Sequence, residues 1–374
     1  MGFLLMVGAL LGVAASQPPL ESFMERTAIF DVLEVPGVES GPWKLVSWVE
    51  GKWMEVPADA QGGTAYLRAR FLGDVGHSPP PGARFRVRAR TEDGRFDGEG
   101  FLVPGGEMPP SFQLSEESFS SEKFSLEFPG GTGFYENLRG PTGILLARAV
   151  RLRLRARILG AFPIERTSAD FRWISEKSSA GAAVAERRFL ASVRALFRYV
   201  TPRPQRQLFT ADTLTQEVEV AVPPGLLSFG GHVTLENGFS LPDESEALLS
   251  GSSGFRKIET ISTGASYEWM AVKNAGGVFL HWLSFPPEAK ALAPAFYSFR
   301  ADGTLEAGYR MENIEEVWEK ASAGKGFVPL TQRFAVLGGA ELSQELSKPS
   351  AARALSEALA VPPSRWVVSV EEIL

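Results

Sequence analysis

Two stretches of strict alternation narrow the fold more than anything else in the chain. Arg84-Phe85-Arg86-Val87-Arg88-Ala89-Arg90 and Arg151-Leu152-Arg153-Leu154-Arg155-Ala156-Arg157-Ile158 switch between charge and hydrocarbon at every residue. A helix would scatter these arginines around its axis, whereas a strand gathers them on one face and leaves the other for a core. Weaker versions of the pattern run over Ala65–Phe71, Phe189–Val200 and Thr215–Val222. Val278–Phe285 is more uniformly apolar, as a central strand covered on both faces would be.

The breaks between these runs are turn-like. Glu92-Asp93-Gly94 predicts a hairpin from the first arginine run to Phe101-Leu102-Val103, and Asn237-Gly238 predicts a turn. Ser78–Gly82, Ser178–Ala185 and Ser250–Gly254 read as loops, the second alternatively as a frayed helix. Helices are few: Asn313 with Glu316 forms a capping box ahead of Gly324, and Ser347 caps a segment over 349–360 that stops before Pro362-Pro363. The expectation is a mainly β protein. A small N-terminal β domain spans 28–103, a Pro- and Gly-rich linker 104–111, and a large twisted, supersandwich-like β-sandwich 112–340. A C-terminal helix and short strand, Trp366–Val370, lie within 341–374.

The N-terminus reads as a signal peptide over 1–16. An apolar run from Phe3 is followed by Ala14, Ala15 and Ser16, which fit a small-residue cleavage site. The run is too short to span a bilayer, and the first basic residue is Arg26. Export to a bacterial periplasm or secretion is the expectation, and it accords with the absence of cysteine. That absence excludes disulfides, thiolate metal sites and cysteine nucleophiles. A net charge of −6 offers no footing for nucleic acid. The three histidines, His77, His232 and His281, share no metal-binding spacing, so no metal and no cofactor is expected.

The arginine rows admit two readings. Same-face neighbours on a strand lie roughly 6.5–7 Å apart, so four like charges repel unless something answers them. Either Arg151, Arg153, Arg155 and Arg157 line a groove for an acidic glycan, or a neighbouring strand carrying Glu217 and Glu219 pairs with them. A porin-like barrel would also use arginine rows, but 26 prolines and two capped helices oppose it.

Candidate catalytic residues are His281, within Phe279-Leu280-His281-Trp282, and His232, at a strand entry after Gly230-Gly231; the commoner reading is a hydrogen-bonded core residue for the first and a loop histidine without a role for the second. Tyr267-Glu268-Trp269 and Gly308-Tyr309-Arg310 place aromatic rings beside charges, the combination that covers a sugar's C–H face and holds its hydroxyls. Glu268 and Tyr309 therefore join the catalytic candidates, and Trp269 and Arg310 the ligand-binding ones. Trp43, Trp48 and Trp53 fit neither period and read as core and rim of the small domain.

Phe124-Ser125-Leu126-Glu127-Phe128, Gly130-Gly131-Thr132-Gly133 and Leu138-Arg139-Gly140-Pro141-Thr142-Gly143, followed by long alternating strands near Val150 and Phe189, resemble the opening of galactose-mutarotase-like supersandwich domains over about 119–334. Such domains occur in several polysaccharide lyases and glycosidases. The resemblance implies a carbohydrate-related fold, and its active members carry a His with Tyr, Glu or Arg on the concave face. The motif itself matches none of His232, His281, Tyr309 or Glu268 to those positions.

Three function classes follow. The first is an exported β-sandwich protein that binds carbohydrate, with an acidic glycan as ligand. The second is a cofactor-independent carbohydrate-active enzyme of lyase or epimerase type. The third is a structural or partner-binding envelope protein.

Overall fold

The computed structural model describes residues 32–92, 94, 96–105, 112–158, 162–167, 170–181, 184–195, 198–199, 203–220, 233–249, 256–257, 262–263, 269–284, 295–299, 304–311, 328–338, 344, 348, 350 and 366–373. These residues build a mainly β protein of three antiparallel sheets, with two short 3-10 turns at Ala69–Phe71 and Pro129–Gly131. The expected signal segment, the helix expected ahead of Gly324, all but Ser350 of the helix expected over 349–360, His232, Glu268 and most of the linker lie outside the described residues.

The first sheet has seven strands in the order Val32–Pro36, Thr64–Arg68, Lys52–Gln61, Gly41–Val49, Asp97–Pro104, Phe85–Thr91 and Trp366–Glu372. The final strand thus returns to the first sheet instead of extending the sandwich that precedes it. The sheet curls until its edge strands, Val32–Pro36 and Trp366–Glu372, approach each other. Its concave side holds a core of Val35, Leu45, Leu67, Val87, Ala89 and Leu102, packed with Trp43. The alternation explains the Phe85–Thr91 strand directly: Phe85, Val87 and Ala89 are buried, while Arg88 and Arg90 face solvent and Arg86 is half-buried. The expected turn after it is present, with Gly94 at φ +73° donating its N–H to the Thr91 carbonyl at 2.9 Å.

Two ten-stranded sheets form the sandwich. The second centres on Leu145–Ile158, flanked by Val233–Ser240 and Tyr135–Arg139; the third centres on Thr213–Val220, Val328–Gly338 and Gly277–Ser284. Aromatic rings join their inner faces. Phe239 meets His281 at 5.0 Å and Phe279 at 6.2 Å, and Phe119 stacks on Phe209 at 4.8 Å. The apolar Gly277–Ser284 strand is central as expected, with Val278, Phe279 and Leu280 at 0% exposure.

Three local expectations are corrected. Asn237-Gly238 makes no turn, because Val233–Ser240 continues through both residues and pairs on each side with Leu145–Ile158 and Thr304–Met311. Two full ladders of backbone hydrogen bonds outweigh a two-residue turn preference. Ser178–Ala185 is neither long loop nor helix: strands Phe171–Ala180 and Ala185–Ala195 pair up to Ala180↔Ala185. The Ala65–Phe71 alternation ends at Arg68, where the chain tightens into the Ala69–Phe71 turn.

The glycine segment that carries the family resemblance docks on the third sheet. A Cβ on Gly133 would lie 2.2 Å from the Trp173 ring, so only glycine fits. Its carbonyl accepts from Gln207 Nε2 at 2.7 Å and Gln216 Nε2 at 3.3 Å. Arg187, 3% exposed, lies 3.6 Å over the Phe128 ring, and burial brings its pKa down to about 10.

Candidate functional site

The Gly41–Val49 and Lys52–Gln61 strands form a hairpin around Glu50-Gly51. Both turn residues have positive φ, 51° and 80°, as the favoured two-residue hairpin turns require. The register sets Trp48 directly opposite Trp53, one residue pair from the turn. Their rings meet edge-to-face at 5.3 Å. His77, carried on the loop before Ser78–Gly82, lies 5.1 Å from Trp48 and 6.2 Å from Trp53, and Phe101 lies 6.1 Å from Trp53. Trp53 remains 40% exposed. The five-residue tryptophan spacing thus resolves as one core ring, Trp43, and two rings of an outward-facing aromatic platform.

The arginine row borders this platform. Arg86 lies 5.5 Å over the Phe101 ring, 3.1 Å from Glu371 and 3.6 Å from Glu99. Arg88 grips Asp97 with Nε and Nη2 together, and that bidentate contact holds the Asp97 carboxyl below its usual range. Arg84 lies 3.8 Å from Glu39. Three of the four arginines of the first row are therefore answered by neighbouring carboxylates, chiefly from the two strands beside it. Beyond Arg88, a groove of about 230 Å³ is lined by Arg88, Arg90, Val367 and Ser369.

The opposite half of the same sheet is a docking surface. Arg68 Nη1 reaches Asp212 at 2.6 Å and Thr210 Oγ1 at 2.7 Å, and Arg70 Nη1 reaches the other Asp212 oxygen. The tight turn after Arg68 is what lets both arginines converge on one carboxylate. Burial opposes ionisation of Asp212, but the two guanidinium groups overcome it and hold its pKa well below the usual carboxylate range. Arg206 of the third sheet donates to Glu186, to Glu34 at 2.7 Å and to Tyr66 Oη at 3.1 Å, so it ties two first-sheet side chains to the sandwich. Asp59 accepts from the Val184 N–H at 3.2 Å. Sequence reading missed this cluster, since Arg68, Arg70 and Asp212 stand in no motif.

The second arginine row lies in the second sheet, and Glu217 and Glu219 lie in the third. Glu217 instead sits across from Arg206, at 3.6 Å. Within the second sheet, Arg153 stands opposite Glu236 and Arg155 opposite Glu165. Arg151 stands opposite Gly238, which in turn stands opposite Glu306. Arg310 lies in one cross-strand line with Arg155 through Thr234, whereas Tyr309 is paired with Leu235.

Trp269 pairs with Trp282 in the third sheet. His281, in that same sheet, is 0% exposed and lies between Phe239 and Phe334, 4.7 Å from the latter ring. The backbone therefore splits the candidates, with Arg151–Arg157, Tyr309 and Arg310 in one sheet and Trp269 and His281 in the other. Among the described residues, no group of three His, Asp or Glu could hold a metal, and no helix is long and apolar enough to cross a membrane.

No family model and no curated protein matches the chain. Solved structures do. An α-mannosidase from Enterococcus faecalis V583 aligns with a TM-score of 0.50 at 10% identity, over 89% of this chain and 41% of that one. A protein in glycosyl hydrolase family 38 from Enterococcus faecalis aligns with a TM-score of 0.49 at 10% identity, over 91% and 40%. A glycoside hydrolase family 97 enzyme from Pseudoalteromonas sp. strain K8 gives 0.33 at 9% identity, over 66% and 35%. The chain thus spans about two fifths of the length of the first two, and what it shares with the α-mannosidase is a β-rich fold.

Proposed function

We propose that this chain is an exported carbohydrate-binding β protein whose ligand surface is the outer face of its first sheet. The observation that carries the reading is the Trp48–Trp53 pair with His77: a 40% exposed tryptophan, braced edge-on by a second, beside a row of arginines and carboxylates. An exposed indole face covers the C–H face of a sugar, and the bordering charges supply partners for its hydroxyls. Trp53, one residue pair from the turn, keeps an indole surface open to a ligand. The fold likeness to an α-mannosidase supports a sugar ligand, and the two large antiparallel sheets support a galactose-mutarotase-like sandwich within the same proposal. The periplasmic or secreted location rests on the 1–16 segment alone.

The second arginine row supports internal pairing better than an open groove, because Glu236, Glu165 and Glu306 occupy its cross-strand lines. The burial of His281 among rings supports a packing role for it over catalysis. The test is titration of neutral and acidic oligosaccharides into the protein and into Trp53→Ala by calorimetry. The proposal expects saturable binding that Trp53→Ala removes while the melting temperature stays within about 2 °C. Binding that survives Trp53→Ala places the ligand elsewhere; absent binding favours a structural or partner-docking role.

A further inference from the structure

We propose that the groove between the Phe85–Thr91 and Trp366–Glu372 strands is a subsite for the carboxylate of a uronate-type sugar, with Arg90 as the group that takes it. This deepens the carbohydrate-binding reading and rests on it.

The inference starts from an imbalance in the row. In register, Arg90 faces Asp97 on one side and Val367 on the other, while Arg88 faces Glu99 and Ser369. Asp97 nevertheless turns diagonally and gives both oxygens to Arg88. Arg84, Arg86 and Arg88 each have a carboxylate within 3.8 Å, whereas Arg90 is exposed and makes no ion pair among the described residues. Arg90 is thus a cation held beside an occupied carboxylate, with its own fork open.

The groove supplies the other contacts a sugar acid needs. At about 230 Å³ it is smaller than the roughly 300–1,000 Å³ of drug-sized pockets, so it suits a single ring. Val367 is 42% exposed and offers an apolar wall, and Ser369 offers a hydroxyl that can donate or accept. A planar guanidinium matches a carboxylate in bidentate geometry, as Arg88 already does with Asp97. Arg86 over Phe101, and Phe101 beside Trp53, connect the groove to the aromatic platform along one sheet face. A chain of sugars can then rest a ring on Trp53 and an acid group at Arg90.

The test uses the intact protein with three probes: an oligouronate, the same oligomer with its carboxyls reduced to alcohols, and a sulfated oligosaccharide of equal length. The expected result is a preference for the uronate over its neutral form of about fivefold at low salt, shrinking as salt rises. Arg90→Gln should erase that preference, and leave the affinity for the neutral oligomer and the melting temperature unchanged. Equal affinity for acidic and neutral forms, or a preference that survives Arg90→Gln, overturns the subsite. If the neutral oligomer then still binds in a Trp53-dependent way, the carbohydrate reading stands without it; if no probe binds, both fall. Tighter binding of the sulfated probe than of the uronate overturns the carboxylate assignment.

Discussion

Arg68, Arg70 and Arg206 lie where the first sheet meets the third, whereas Arg84, Arg86, Arg88 and Arg90 lie on its open half. The chemistry is the same, guanidinium against carboxylate, yet burial gives the two groups different weight. Arg68 is 6% exposed and its partner Asp212 14%. Arg88 and Asp97 are 46% and 40% exposed. Removing one partner of a buried pair leaves a charge that water cannot reach, while an exposed pair trades protein contacts for solvent at little cost. The buried cluster therefore carries the larger share of the stability, and the conspicuous row is the part that can change partners at little cost.

The largest expected effect is at Asp212. Asp212→Asn should destabilise the protein by about 3–5 kcal/mol, because Arg68 loses its charged partner while still buried. Denaturant melts measure it. Replacing the cluster with hydrocarbon, as Arg68→Met with Asp212→Leu, should recover much of that loss; no recovery would mean that the ion pair itself, not an orphaned charge, sets the energy.

The pH dependence sharpens the same contrast. Asp212 and Glu186 have folded pKa values lowered by their arginines despite burial. A depressed carboxylate contributes stability that is present above its unfolded value, near ~4, and is lost as pH falls below it. Melting temperature should be level from pH 8 to about 5 and fall steeply below about 4, with a shallower acid fall in Asp212→Asn. Equal slopes in the two proteins would remove Asp212 from the account.

Next comes the second arginine row. Arg153→Gln with Arg155→Gln should lower the melting temperature and leave glycan affinity unchanged, since Glu236 and Glu165 stand across from these positions. A fully stable double variant with weakened acidic-glycan binding would restore the groove reading for this row. The smallest effect belongs to the exposed pair: Asp97→Asn should leave thermal stability unchanged within error.

The fold was legible where a face repeats. Both arginine runs became strands, and in the first every second residue met a core. The third sheet's central strand was legible from unbroken hydrocarbon at Val278–Leu280. What stayed hidden was non-local. Pairing of the 366–372 strand with the 85–91 strand joins positions more than 270 residues apart, and nothing in either stretch names the other. The Asn237-Gly238 turn failed for the same reason, as both flanking strands arrive from elsewhere. The aromatic platform was half legible: the tryptophan spacing was visible, but only the two-residue turn at Glu50-Gly51 sets Trp48 opposite Trp53.

The most direct test of the central claim is calorimetric titration of a neutral oligosaccharide series into the protein and into Trp53→Ala, with melts run alongside. Binding that saturates in the parent, and disappears in a Trp53→Ala protein of unchanged melting temperature, is the predicted result. No saturable binding in the parent, or equal binding by the variant, would contradict the claim that this sheet face holds sugar.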